Sequence, residues 1–154
     1  MIQVQTGDFN QQTEYDRLRQ SSETGAVVTF TGLVRDFNVN KNQCEKISAL
    51  TLEHYPAMTE KALSLIVEQA TTRWSLINTT IIHRVGELAL SDQIVFVGVA
   101  SVHRGDAFAA CEFIMDFLKT EAPFWKKETK NTGEYYWVDA RESDQAALEK
   151  WNHK

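Results

Sequence analysis

Gln93-Ile94-Val95-Phe96-Val97-Gly98-Val99-Ala100-Ser101-Val102, followed by His103-Arg104-Gly105 and then by Asp106-Ala107-Phe108-Ala109-Ala110-Cys111-Glu112-Phe113-Ile114-Met115-Asp116-Phe117-Leu118-Lys119-Thr120, is the stretch that decides the fold. Its first part is a near-continuous apolar run, the pattern of a central strand covered on both faces. Its second part places Ala107, Ala110, Cys111, Ile114, Met115 and Leu118 on one stripe at helical spacing, and Pro123 forbids continuation. Working outward, Ala26–Thr31 and Thr79–Val85 are rich in β-branched residues and read as strands, as do residues 2–6 and Ile47–Tyr55. Gly32 marks a bulge or a close backbone approach, Pro56 ends one strand and Gly86 another. Helices are predicted over Asn10–Ser21, from an N-cap at Thr59 to Trp74, and over Glu142–Trp151. Asn131-Thr132-Gly133 predicts a hairpin between Phe124–Glu128 and Tyr135–Val138. Residues 36–46 are polar and aperiodic and read as a mobile loop of about a dozen residues. The mixture lacks a strict βαβ rhythm, so the expectation is one α+β domain spanning residues 1–154, a mixed or antiparallel sheet packed with helices.

A chain of 154 residues is long enough for a core without staples, and 43% hydrophobic with 24% charged residues is ordinary for a globular protein. No apolar run approaches the roughly 20 residues needed to span a bilayer. The first residues have no basic region followed by an apolar one, so a cytoplasmic protein is expected. A net charge of -5 argues against a duplex nucleic acid partner. Only Cys44 and Cys111 are present, with no Cys-x-x-Cys, so no metal site is expected. Cys111 sits in an apolar helix as a small buried hydrophobe. Phosphate-loop, dinucleotide, zinc-protease and nucleophile-elbow motifs are all missing.

What remains is a set of cations at element ends, where binding groups tend to sit on a rigid scaffold. Arg35 follows the first long strand, His103 and Arg104 open the best helix, Lys119 closes it, and Lys126 and Lys127 follow Pro123. Each also has a purely structural explanation. Lys119 complements the helix dipole, Lys126 and Lys127 are solvated hairpin charges, Arg35 pairs with a surface carboxylate, and His103 ends a strand. Arg104 opposes the dipole at a helix N-terminus, which makes sense beside a bound anion. Arg104 and Lys119 are separated by roughly 22 Å of helix, so a small phosphorylated ligand cannot touch both in one straight-helix subunit. The reading is a homodimer whose site takes Lys119 and Lys126 from one copy and His103 and Arg104 from the other.

Several blocks carry a resemblance. Gly25-Ala-Val-Val-Thr-Phe-Thr-Gly-Leu-Val-Arg35, Leu50-Thr-Leu-Glu-His-Tyr-Pro56, Met58-Thr-Glu-Lys-Ala62, His83-Arg-Val-Gly-Glu87, Ser101-Val-His-Arg104, Phe117-Leu-Lys-Thr120, Ala122-Pro-Phe-Trp-Lys126 and Trp137–Asp144 resemble, in unbroken order, the molybdopterin synthase catalytic (large) subunit family. The first 24 residues carry little of its signature. The resemblance implies an α+β fold with an α/β hammerhead core and a homodimer within a heterotetramer. It implies a small ubiquitin-like sulfur-carrier subunit whose Gly-Gly thiocarboxylate tail enters the large subunit. The substrate implied is cyclic pyranopterin monophosphate and the product is molybdopterin, with no cofactor and no metal in this chain.

By the same resemblance Lys119 and Lys126 match the catalytic lysines. Leu33, Val34, Arg35, His103, Arg104, Lys127 and Glu128 fall in substrate-binding segments, and Arg141 matches an arginine given across the dimer interface. Leu33 stands where relatives often carry a lysine, which removes one expected pocket cation. Phe30, Met115, Phe124 and Trp125 are candidate walls for the carrier's tail, or ordinary core. The residue types suit the chemistry. A thiocarboxylate is already a nucleophile, so the chain needs no reactive cysteine, and fixed Arg and Lys groups stabilise charge developing on oxygens. In a desolvated, cation-rich pocket an ammonium loses its proton more easily, so a lysine there shuttles protons or attacks a carbonyl. The alternatives are a dimeric scaffold that binds a ubiquitin-like partner without catalysis, and a phosphate-ligand sensor.

Overall fold

The computed structural model describes residues 1–40, 43–138 and 142–152. In chain order the elements are β1 (Ile2–Gln5), α1 (Gln11–Leu18), β2 (Ala26–Leu33), β3 (Phe37–Asn40), β4 (Gln43–His54), α2 (Pro56–Arg73), β5 (Leu76–Arg84), β6 (Gly86–Ala89), β7 (Gln93–Ser101), α3 (Arg104–Glu121), β8 (Phe124–Lys130), β9 (Tyr135–Val138) and α4 (Glu142–Glu149). They form two sheets. The first has the order β1-β5-β7-β2, parallel only between β1 and β5. The second has the order β3-β4-β8-β9, with β6 also paired to β4, and is antiparallel throughout.

The apolar run at 93–101 is the central strand because both of its faces are covered. Val95, Val97 and Val99 pack with Leu63, Ile66 and Ala70 of α2, Ala110, Phe113 and Ile114 of α3, and Trp151. Phe96 and Ala100 face the other way, onto Phe9 and Leu18 around α1. A side chain at Gly98 would put a Cβ 2.4 Å from Leu18 Cδ1 and 2.9 Å from the Phe96 ring, so glycine is what lets α1 lie this close. The second sheet has its own small core of Val34, Ile47, Leu50, Leu52 and Leu88.

The two sheets meet where β5 becomes β6. Gly86, at φ +88, makes the bend, a conformation that glycine adopts without penalty. The buried Arg84 just before it donates to the carbonyls of Thr6 and Gln93 and so ties the N-terminal segment to this junction. On the opposite side the pairing of β2 with β7 slips after Gly32, and Val34 exchanges hydrogen bonds with the turn at Ser91 and Asp92. Val34 and Arg35 are thereby carried past the end of the first sheet, and Val34 packs into the core of the second.

Three expectations need correction. Residues 37–40 and 43–46, read as loop, pair with each other as β3 and β4 in the register Phe37↔Lys46 to Asn40↔Gln43. Hydrophobic periodicity is blind to strands of such polar composition. Pro56 does not merely end a strand: it is the first residue of α2, whose N-cap is Tyr55 rather than Thr59. Proline's fixed φ and missing N–H suit that place, and Thr59 is fully buried one turn inside. Gly86 does not simply stop β5, because the next four residues form β6 against β4.

Candidate functional site

The site lies between the sheets. Lys119 reaches it from the last turn of α3, Lys126 from β8, and Leu33, Val34 and Arg35 from the segment after the β2 irregularity. These residues, with Glu128 of β8, Asp144 of α4 and an apolar floor of Ile47, Leu50 and Ile94, line a cleft of about 130 Å³. A second, more enclosed cavity of about 110 Å³ adjoins it, sharing Leu33, Ile94, Lys119 and Lys126 and extending inward to Leu52, His83, Leu118, Ala122 and Phe124. Three cations and two carboxylates therefore border the mouth, while the inner end is mostly apolar.

Local sequence explains the placement. Alternation along β8 sends Lys126 and Glu128 to the cleft and Trp125 and Lys127 to the other face. Glu128 is buried and accepts a 2.5 Å hydrogen bond from the Tyr136 hydroxyl of β9, directly opposite in register, which fixes a carboxylate beside the lysine pair. Pro123 sets the sharp passage from α3 to β8, so only six residues separate Lys119 and Lys126 around the bend.

The back of the inner cavity is an aromatic stack. His83 lies 3.8 Å, centroid to centroid, from Phe124 at an interplanar angle of 15°, and His54 lies on Phe124 at 6.2 Å. His83 Nδ1 is 2.8 Å from the Arg84 carbonyl oxygen. That oxygen only accepts, so Nδ1 carries the proton and Nε2 is left as an acceptor. Burial pushes the His83 pKa down to about 3; the bond to Arg84 opposes this, and Lys119, Lys126 and His54 lower it further. The ring is neutral at any ordinary pH.

Among the residues singled out from sequence, Lys119, Lys126, Arg35, Leu33, Val34, Glu128 and Phe124 converge here. Others do not. Lys127 lies over the Tyr135 and Trp137 rings at 4.9 and 5.9 Å. Trp125 packs edge-on against Tyr55 at 4.9 Å on the same outer face. Phe30 is exposed on β2, and Met115 packs against the main core. His103 and Arg104 are exposed at the opposite end of α3, His103 as its N-cap. Arg141 lies outside the described residues. Cys111 is buried with its thiol against the Val97 carbonyl, and burial pushes its pKa up to about 11, so it is no nucleophile. His83 and Asp144 were not among the candidates. For His83 the signal was an imidazole at the end of an otherwise apolar and β-branched strand. Among the described residues no three His, Cys, Asp or Glu side chains converge as a metal site, and no helix is long and apolar enough to cross a membrane.

Fold and cleft together define an α+β protein with a cation-rimmed pocket closed at its inner end by a neutral imidazole, suited to a small anionic ligand. Residues 4–121 match the family described as MoaE protein, and the chain belongs to that family. It is 56% identical over 150 residues to the molybdopterin synthase catalytic subunit of Haemophilus influenzae, covering 97% of each chain. It is 56% identical over 143 residues to the Escherichia coli K12 protein of the same name, covering 93% of this chain and 92% of that one. The solved structure of the molybdopterin biosynthesis MoaE protein of Burkholderia ambifaria MC40-6 superposes with a TM-score of 0.82 at 50% identity, covering 99% of this chain and 97% of that one.

Proposed function

We propose that this chain is the catalytic subunit of a molybdopterin synthase. It transfers sulfur from the C-terminal thiocarboxylate of a small ubiquitin-like carrier subunit to cyclic pyranopterin monophosphate, forming the dithiolene of molybdopterin. The observation that carries this reading is the convergence of Lys119 and Lys126, from two different elements, on one cleft with Arg35. The thiocarboxylate supplies the nucleophile, which suits a chain whose Cys111 is buried and inert. Arg35 and Lys126 hold the substrate's oxyanions, and Lys119 transfers protons or forms a covalent link as the ring opens. Cations arranged before the reaction stabilise charge as it develops without reorganising. The reaction calls for no cofactor of this chain's own, and a cytoplasmic setting suits a carrier with an activated tail.

His103 and Arg104 enter as residues lent by a second copy, because α3 holds them a helix-length away from the cleft of their own chain. Arg141 is assigned the same role. The assembly is thus a homodimer of this chain with one carrier bound at each end.

Reconstitution tests the reading. The purified chain, a thiocarboxylated carrier and cyclic pyranopterin monophosphate are expected to yield molybdopterin, and Lys119→Ala little of it. A folded wild-type chain that binds the carrier and forms no product would replace this reading with that of a non-catalytic scaffold.

A further inference from the structure

The inner cavity holds one polar group at its closed end that the proposed reaction has not used. His83 is fixed three ways: by its place near the end of β5, between Val4 of β1 and Val95 of β7, by the stack on Phe124, and by the bond from Nδ1 to the Arg84 carbonyl. Rotation about the ring's axis would break the bond, and a tilt would break the stack. The groups facing it are Lys119 from α3, Lys126 from β8 and His54 from β4, and of the two lysines Lys119 exerts the stronger repulsion on a protonated ring. The imidazole therefore does not act as an acid or as a third cation. His83, Lys119 and Lys126 line the same small cavity, whose wall is otherwise apolar, and with Nδ1 engaged by Arg84 the ring nitrogen left to act as an acceptor is Nε2; an acceptor in such surroundings is worth more than one in water.

We propose that His83 is a positioning residue for Lys119, its Nε2 lone pair accepting a hydrogen bond from the lysine ammonium and drawing it toward the inner end of the cleft. A neutral acceptor does this without neutralising the cation, as a carboxylate would, so Lys119 keeps its charge for the substrate or gives up its proton from a fixed position. The proposal rests on the reaction assigned above only for its kinetic readout, since the state of the ring is measurable without turnover.

The experiment combines nuclear magnetic resonance of protein labelled with ¹⁵N-histidine and steady-state kinetics. The His83 ring, assigned by its disappearance in His83→Gln, is expected to remain the neutral Nδ1–H form from pH 8 down to roughly pH 4. Its Nε2 resonance is expected to move in Lys119→Ala and to stay in place in Lys61→Ala, on the surface of α2. In the reconstituted reaction, His83→Asn keeps a donor for Arg84 but does not reach the cavity, and His83→Gln places an amide oxygen where Nε2 was. Both lose the stack and only His83→Gln also loses the bond to Arg84, so a purely structural role penalises His83→Gln at least as much as His83→Asn. The expected result is a fall in kcat on the order of 10- to 100-fold for His83→Asn, the value of one hydrogen bond to a charged group, with much of it recovered in His83→Gln and KM changed by less than about threefold. A ring that titrates near pH 6.5, an Nε2 resonance indifferent to Lys119→Ala, or equal kcat in the two variants would overturn the proposal. If wild type itself makes no molybdopterin, the reaction assignment falls, and the resonance experiment alone decides whether His83 faces Lys119.

Discussion

Lys119 and His83 behave differently because one is exposed at a helix end and the other is almost wholly buried. Replacing Lys119 by Ala removes a charge from the cleft but almost nothing from the core. Turnover is expected to fall on the order of 100-fold or more, the usual scale for a group that moves a proton in the transition state, while the melting temperature stays within a few degrees of wild type. His83 shows itself in the pH dependence of stability. Its folded pKa, about 3, lies below its unfolded value of 6.5, so between these limits the unfolded chain binds the extra proton. Stability is full above the unfolded value and declines as the pH falls toward 3, by an amount on the order of 5 kcal/mol. Urea titrations at pH 7 and pH 4.5 are expected to show a difference that shrinks in His83→Phe; an unchanged difference would assign the acid sensitivity elsewhere. Sequence showed the exposed cations, since charges at element ends stand out. It did not show His83, because burial and a satisfied Nδ1 are properties of the packed molecule. Nor does it show that Lys127 and Trp125 face away from Lys126, because that one-residue alternation follows from the pairing of β8.

At the scale of elements, β7 and α3 were the most legible parts, β7 because its apolar run is nearly continuous and α3 because its apolar stripe repeats over several turns. The ribbon of β3 and β4 was not, and neither was β6, a four-residue strand whose existence depends on Gly86 turning the chain onto β4. Gly98 ties two elements together. Gly98→Ala is expected to cost about 1 to 3 kcal/mol in a denaturant titration, the range for overpacking a filled core, because the methyl group collides with Leu18 and pushes α1 outward. At the other end of the fold Trp151 anchors the stretch after α4. It is 3% exposed, meets Trp74 and Phe113 edge-on, and donates its indole N–H to Asp116 at 2.7 Å. Trp151→Ala is expected to lose about 3 kcal/mol or more. It should also lower activity, since α4 carries Asp144 to the rim of the cleft; full activity in a destabilised variant would separate α4 from the site.

For the whole molecule, the decisive fact is the length of α3. With Arg104 at one end and Lys119 at the other, roughly 22 Å apart, a site needing both groups must draw on two copies. Arg104→Ala and Lys119→Ala are each expected to be nearly inactive alone. Co-refolded in equal amounts they should regain about a quarter of wild-type activity, because half of randomly paired dimers carry both changes in a single one of their two sites. Absence of any recovery in dimers shown to have exchanged would place Arg104 outside the site. The existence of two sheets was the least legible property at this scale, for a strand's own residues do not say which sheet it joins, and the bend at Gly86 and the slip after Gly32 that separate the sheets are features of the folded backbone.

The alternation along β8 has an optical consequence. The chain has four tryptophans. Trp74 and Trp151 face each other in the main core, whereas Trp125 and Trp137 are 44% and 52% exposed on the outer face of the hairpin, Trp125 adjoining Lys126 in sequence. Their emission should therefore resolve into a blue component that responds to unfolding and a red component open to collisional quenching. Iodide, attracted by Lys127 above the Trp137 ring, should dim the red one preferentially over acrylamide, so light from this hairpin records what approaches the outer side of the strand that holds the lysine.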